Sequence, residues 1–212
     1  MTETTLTTAR SAGLAGFQRR RRLALGVLLS FAFAALIFCR SWFGYGELHE
    51  FIEAAGLSLI GVCVLGRLWA TLYIGGRKNA EIVTNGPYSL TRNPLYVFSA
   101  IGAAGVGAQT GSIVVALAFG LVTAFSFQIV IRREEAFLRH EFGAAFEAYR
   151  HRVPRFLPRL TGFQSGGMLA VDPAKLYATL LDGLVFFAAI PAFEAIDWLQ
   201  QTGIIPVLFR LP

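Results

Sequence analysis

Two short polar stretches, separated by a long apolar one, carry the side chains of this sequence best suited to chemistry. The first is Gly86-Pro87-Tyr88-Ser89-Leu90-Thr91-Arg92-Asn93-Pro94-Leu95-Tyr96. Gly-Pro breaks whatever precedes it, and Asn93-Pro94 is a helix start. Asn at the N-cap accepts a backbone N–H, and Pro at the first helical position gives up a donor that had no partner there. With Arg92 beside it, the helix N-terminus presents N–H groups and positive potential suited to a carboxylate or a phosphate. The plainer alternative is a capped helix start with a snorkelling arginine. The second stretch is Arg132-Arg133-Glu134-Glu135-Ala136-Phe137-Leu138, running on to Tyr149. Leu138, Phe142, Phe146 and Tyr149 follow at steps of four, four and three, which predicts one amphipathic helix. Glu135 and Arg139 are spaced to pair on its surface. Adjacent helical residues point about 100° apart, so at least one of Glu134 and Glu135 can face a pocket while its neighbour pairs outside.

The elements that must hold these stretches are set by composition. Of 212 residues, 55% are hydrophobic and only 15% charged, against about a quarter charged in an average soluble domain. Mean hydropathy is +0.56. That is too little charge to cover a soluble surface and too much apolar content for disorder. Cys39 and Cys63, both inside apolar runs, exclude a disulfide scaffold. An integral membrane protein is the class that remains, and five apolar segments are expected to supply its helices. Residues 23–39 follow Arg19-Arg20-Arg21-Arg22 and are 17 uncharged residues long, near the lower limit for a span. The small-x-small site Ala32-Phe33-Ala34 has only nine apolar residues before it, so retention is favoured over cleavage as a signal peptide. Residues 52–74 contain Glu53 and Arg67. Residues 94–108 reach only about 22 Å, short of the far surface, and turn back through 112–130. Gly102, Ala103, Ala104, Gly107 and Ala108 are expected to let these two helices pack as a hairpin. Residues 176–199 carry Asp182, Pro191, Glu194 and Asp197, a tilted span or an interfacial helix.

The expected fold is therefore all-α, a polytopic membrane helix bundle in one domain covering 1–212. Residues 1–22 are expected to form a cytoplasmic tail, 131–160 a cytoplasmic helix and segment that is the candidate for catalysis, and 161–175 a linker. With the N-terminus inside, the inner segments hold 16 Lys and Arg and the outer ones 2, a strong positive-inside bias. The same bias removes the nucleic-acid partner that a net charge of +6 invites, since the basic residues are needed at the helix ends.

The two polar stretches together read Gly86-Pro87-Tyr88, Arg92, Pro94 and Tyr96, then a hairpin, then Glu134-Glu135, Leu138, Phe142-Gly143, Phe146, Tyr149, Val153-Pro154-Arg155-Phe156 and Pro158. This pattern resembles the isoprenylcysteine carboxyl methyltransferase and phospholipid methyltransferase family over about residues 80 to 158. The resemblance implies a membrane enzyme that uses S-adenosylmethionine without a Rossmann domain. It implies a cofactor pocket of Tyr88, Arg92, Asn93, Pro94, Leu95, Tyr96, Glu134 and Glu135, with Arg92 and Glu135 as the catalytic pair. Arg92 suits the cofactor carboxylate, and the two glutamates suit its ammonium, sulfonium and ribose hydroxyls. Asn93 stands where the family has His, keeping a donor and an acceptor but no titration near neutral pH.

The implied acceptor is a membrane-partitioned amphiphile: the carboxylate of a prenylcysteine-like or other lipid-like compound, or a lipid amine. Arg67, Arg150, Arg152 and Arg155 are the candidates to meet it. The short loops and the extra C-terminal segment point to a bacterial relative in the inner membrane. Two other readings stand beside this one: a membrane reductase using NADPH, because sterol reductases resemble the family in the same region, and a non-catalytic protein on the same scaffold. His49, His140 and His151 do not form a metal set, because His49 falls on the opposite side of the membrane from the other two.

Overall fold

A computed structural model describes residues 36–44, 46–77 and 81–212. The expected tail 1–22 and nearly all of the expected span 23–39 lie outside the described residues. What is described is a helix bundle with a two-stranded sheet at one end. Three of its helical segments are long and apolar enough to cross a membrane.

Helix α1 (Glu47–Ile74) starts ahead of the apolar run at 52, with Glu47 and Glu50 in its first turn, where acidic side chains meet the positive end of the helix dipole. A four-residue helix α2 (Pro87–Leu90) leads into the short helix α3 (Pro94–Ala108). Helix α4 (Ile113–Arg152) follows a turn whose Ser112 hydroxyl caps it by accepting from the Val115 N–H. Leu117, Leu121, Phe125 and Ile129 recur every fourth residue of α4 and are all exposed. In water such a stripe would be an aggregation surface, but it is ordinary where the surroundings are hydrocarbon.

Sequence and structure differ at three places. The helix expected to run unbroken past Glu135 is interrupted at Gly143, with φ 49° and ψ −121°, a conformation that a Cβ would strain. The break lets Phe146, Tyr149 and Val153 form a buried cluster against Ile82, Leu138 and Phe142. The last apolar segment starts at Pro173 rather than 176, because Asp172 caps α5 (Pro173–Leu184) by accepting from the N–H groups of Ala174 and Lys175. It then passes through a 3-10 turn, Val185–Ala188, into α6 (Ala189–Gln201). Pro191 explains the tightening, since its ring crowds the Phe187 carbonyl and offers no N–H. Finally, strands β1 (Cys39–Ser41) and β2 (Phe209–Leu211) pair in parallel, with Arg40 opposite Arg210. Three-residue strands are too short to show an alternation in sequence.

The small residues of α3 pack on two helices, not only on α4. A Cβ on Gly102 would stand 2.5 Å from the Cys63 sulfur, and one on Gly105 would stand 2.6 Å from the Gly56 carbonyl, both on α1. Gly107 meets Val115 and Ala116 of α4 in the same way. Backbone approach replaces side-chain packing along both seams, as expected where lipid removes the hydrophobic drive for helices to associate. Gly61, also on α1, has open space around it, with nothing within 4 Å of where a Cβ would stand. Replacing Gly105 with Ala should therefore lower the thermal midpoint of the detergent-purified protein, whereas Gly61→Ala should hold or raise it, since Ala is favoured over Gly within a helix by about 1 kcal/mol. Equal effects of the two substitutions in a melting experiment would contradict this packing.

Candidate functional site

The α2 segment and the chain beyond α4 are joined by a series of backbone bonds. Gly86 takes φ 58°, and a Cβ there would fall 2.3 Å from the Tyr73 ring. Its N–H donates to the Gln164 carbonyl at 2.8 Å, and the Arg159 N–H donates to the Leu90 carbonyl at 2.9 Å. The Arg92 N–H donates to Pro154 at 2.9 Å, and the Thr91 hydroxyl reaches the carbonyls of Arg155 and Phe156. The Tyr149 hydroxyl donates to the Tyr88 carbonyl at 2.8 Å. Two motifs far apart in sequence thus form one layer.

The charged centre of that layer is Glu135. One of its oxygens accepts from Arg92 Nε at 3.0 Å and pairs with the same guanidinium at 2.8 Å. The other accepts from Arg155 at 2.7 Å and 3.1 Å. Glu135 and Arg92 each expose only 8% of the side chain. Arg92 also donates to the carbonyls of Arg150 and Val153, at 2.7 and 2.9 Å. Those carbonyls lie at the end of α4, where backbone acceptors lack helical partners. The sequence motif aims Arg92 at a ligand carboxylate, but its fork is largely committed to Glu135 and to the α4 terminus. So placed, it adds fixed positive charge to the cavity wall.

Asn93 occupies the N-cap of α3, but its side chain makes no capping bond. Its amide donates instead to the Arg155 carbonyl at 2.9 Å, because Arg155 is drawn in by Glu135. The Glu134 carboxylate accepts from the Tyr96 hydroxyl at 3.0 Å, and the Tyr96 ring lies 4.6 Å from that of Phe127. The expected surface pair of Glu135 with Arg139 does not form. Arg139 pairs with Glu147 at 2.7 Å, across the break at Gly143.

A cavity of about 400 Å³ opens in this layer. All eight residues expected in a pocket line it: Tyr88, Arg92, Asn93, Pro94, Leu95, Tyr96, Glu134 and Glu135. Arg67 lines it as well, 3.4 Å from the Ser99 hydroxyl and 3.8 Å from Asp182. Arg150 and Arg152 do not. Arg150 pairs with Glu147, and Arg152 borders a separate cavity of about 270 Å³. Arg155 acts on the site through Glu135. Burial pushes the Tyr88 hydroxyl well above its ordinary range, so it stays protonated and is not a base.

The cavity also has walls that the sequence motifs do not name: Glu81, Ile82, Val83, Ser99, Phe127 and Thr179. Ser99 and Phe127 carry a usable signal, three residues beyond Tyr96 and seven before Glu134, each on the same helical face. Thr179 has none, since only the return of α5 against α1 brings it there, with its hydroxyl 3.0 Å from that of Thr71. The arrangement offers a polar end of carboxylates, amide and phenol, and a wall of Leu95, Phe127, Leu138 and Phe146. That is the layout of a pocket for a polar small molecule beside an apolar one.

The chain is similar to known proteins along its whole length. It is 32% identical to the cobalt-zinc-cadmium resistance protein CzcN of Cupriavidus metallidurans, over 100% of both chains. It is 34% identical to the nickel-cobalt-cadmium resistance protein NccN of Alcaligenes xylosoxydans xylosoxydans, over 94% of this chain and 93% of that one. Protein-S-isoprenylcysteine O-methyltransferase of Schizosaccharomyces pombe is 37% identical over 40% of this chain and 37% of its own. No solved structure matches significantly. The family model for phospholipid methyltransferases matches residues 54–145, from within α1 to just past the break in α4. With full-length relatives at this identity and a family match over the helices that build the cavity, the chain belongs to the phospholipid methyltransferase family of membrane proteins.

Proposed function

We propose that this protein transfers a methyl group from S-adenosylmethionine to an amphiphile that enters from the bilayer, at the cytoplasmic face. The observation that carries the reading is the convergence of the two family motifs on one cavity in which polar and apolar walls adjoin. When bound, S-adenosylmethionine supplies an already activated methyl carbon, so the protein's task is alignment. The donor set suits it. Glu134 presents negative charge to a cationic ligand, while the rings of Tyr96 and Phe127 provide an aromatic wall for an adenine or a sulfonium. Leu95, Leu138 and Phe146 hold the acceptor's apolar part and keep water from the reacting groups. A carboxylate acceptor needs no base. A proton leaving an amine or thiol would go to Glu134 or to water, because both oxygens of Glu135 already accept from guanidinium groups. Likeness to CzcN and NccN extends the reading to a membrane modification made alongside resistance to divalent metals.

Calorimetric titration with S-adenosylhomocysteine should give saturable binding, weakened by Glu134→Gln about tenfold to a hundredfold, the loss expected for a charge-assisted hydrogen bond, with the melting temperature little changed. Arg92→Lys should act differently. It cannot span Glu135 and two carbonyls, and breaking a buried pair costs about 3–5 kcal/mol, so the thermal midpoint should fall sharply. No binding to folded wild-type protein at millimolar ligand would sink the proposal.

Asn93→His should bind S-adenosylhomocysteine with less than a tenfold loss, that is, under about 1.4 kcal/mol, because a ring N–H can replace the amide donor to the Arg155 carbonyl. Loss of binding in that folded variant, measured by the same titration, would assign Asn93 a role that its hydrogen bond does not explain.

A further inference from the structure

The other end of the bundle holds a second cluster that methyl transfer does not use. His49 and Glu53 sit one turn apart on α1, and Asp197 reaches them from α6. From His49 to Ile74, beside the cavity, α1 rises roughly 38 Å, so the two places are independent. His49 Nε2 lies 3.1 Å from Glu53 Oε1 and 3.7 Å from Asp197 Oδ2. One donor atom from each of the three residues lies within 4.8 Å of the other two.

We propose that His49, Glu53 and Asp197 bind one divalent transition-metal ion. The spacing is close to what coordination requires: arms of 2.0–2.2 Å at tetrahedral angles put neighbouring ligand atoms about 3.4 Å apart, the two separations from the imidazole bracket that value, and a carboxylate rotation brings the Glu53 and Asp197 oxygens, within 4.8 Å of each other, onto one ion. The imidazole is held in place. Its side chain is 4% exposed, and a Cβ on Gly111 would stand 1.9 Å from Nδ1, so the turn at Gly111 is seated against that nitrogen and Nε2 faces the carboxylates. The cluster borders a cavity of about 240 Å³ that Glu50 and Glu194 also line, leaving room for a water ligand. Four carboxylates therefore line the cavity beside the imidazole, and Arg40, coupled electrostatically to Asp197, offsets part of their charge. Glu53 lies within electrostatic range of Glu50 and Glu194. A dication would relieve that repulsion. One imidazole with two carboxylates selects zinc, cobalt or nickel over magnesium or calcium. In sequence His49, His140 and His151 do not form a metal set, and testing histidine against histidine conceals this site, because its other ligands are acidic and one comes from the far end of the chain.

The rival explanation is a hydrogen-bonded histidine–carboxylate cluster that holds α1 to α6 without metal. The full chain, in lipid nanodiscs with any polyhistidine tag removed and stripped with EDTA, would be titrated with cobalt(II) chloride and followed by visible absorption. The expected result is saturation at one cobalt per chain with d–d bands of a low-coordinate site, displaced by zinc chloride but not by millimolar magnesium. His49→Gln and Asp197→Asn should each weaken binding at least about 100-fold, while Glu134→Gln at the other end leaves it unchanged. Asp197→Asn preserves volume and a hydrogen-bonding side chain, so it reads out the site if His49→Gln fails to fold. Absence of saturable cobalt binding to folded wild-type protein, or saturation that survives both substitutions, would overturn the proposal.

Discussion

Glu135 shared between Arg92 and Arg155 is the interaction on which the site depends. Its two oxygens face guanidinium groups from segments on either side of the α3–α4 hairpin. Burying one carboxylate and the Arg92 guanidinium is unfavourable unless every donor finds a partner. The fold meets that condition by directing the remaining Arg92 donors at the Arg150 and Val153 carbonyls, which a helix end leaves without partners. One side chain thus closes α4, orients the α3 N-terminus and fixes Glu135. Displacing Arg92 or Glu135, each only 8% exposed, would leave buried charge and carbonyls without partners, so that pair holds or fails together.

This constraint explains why the site belongs to a membrane bundle and not to a surface groove. The glycine seams of α3 bring α1 and α4 to backbone contact, and the short α3 does not fill the space that its longer neighbours span. The cavity lies at the end where α3 begins, between the polar layer and the apolar helices. Exposed Leu and Phe side chains along α4 face outward from the same helix that carries Glu134 and Glu135 inward. Polar and apolar walls therefore adjoin in one cavity, as the proposed reaction requires.

Break and cap positions tune the geometry. Gly143 redirects the end of α4 so that Tyr149 bonds the Tyr88 carbonyl and Arg139 meets Glu147. The opposite end is organised by other means: β1 and β2 pair, and the Ser41 hydroxyl donates to the Gly111 carbonyl at the turn against which His49 rests. The bundle thus carries a polar cluster beside a cavity at each end, separated by apolar helices.

Composition and spacing alone determined the class of this protein. Low charge and long apolar runs require a lipid environment, because the backbone and side chains have no other way to meet their solvent. The Arg92 to Tyr96 and Glu134 to Glu135 motifs marked one site, because helix-start chemistry and adjacent carboxylates are local features that a sequence displays directly. Partners were not legible. Whether Arg92 faces a ligand or Glu135, whether Asn93 caps α3 or donates to Arg155, and which helix the α3 glycines touch all depend on segments that are distant in the chain. Only the tertiary structure decided these, and for one reason: a buried donor is satisfied by the nearest acceptor in space, while the sequence records only which donors exist.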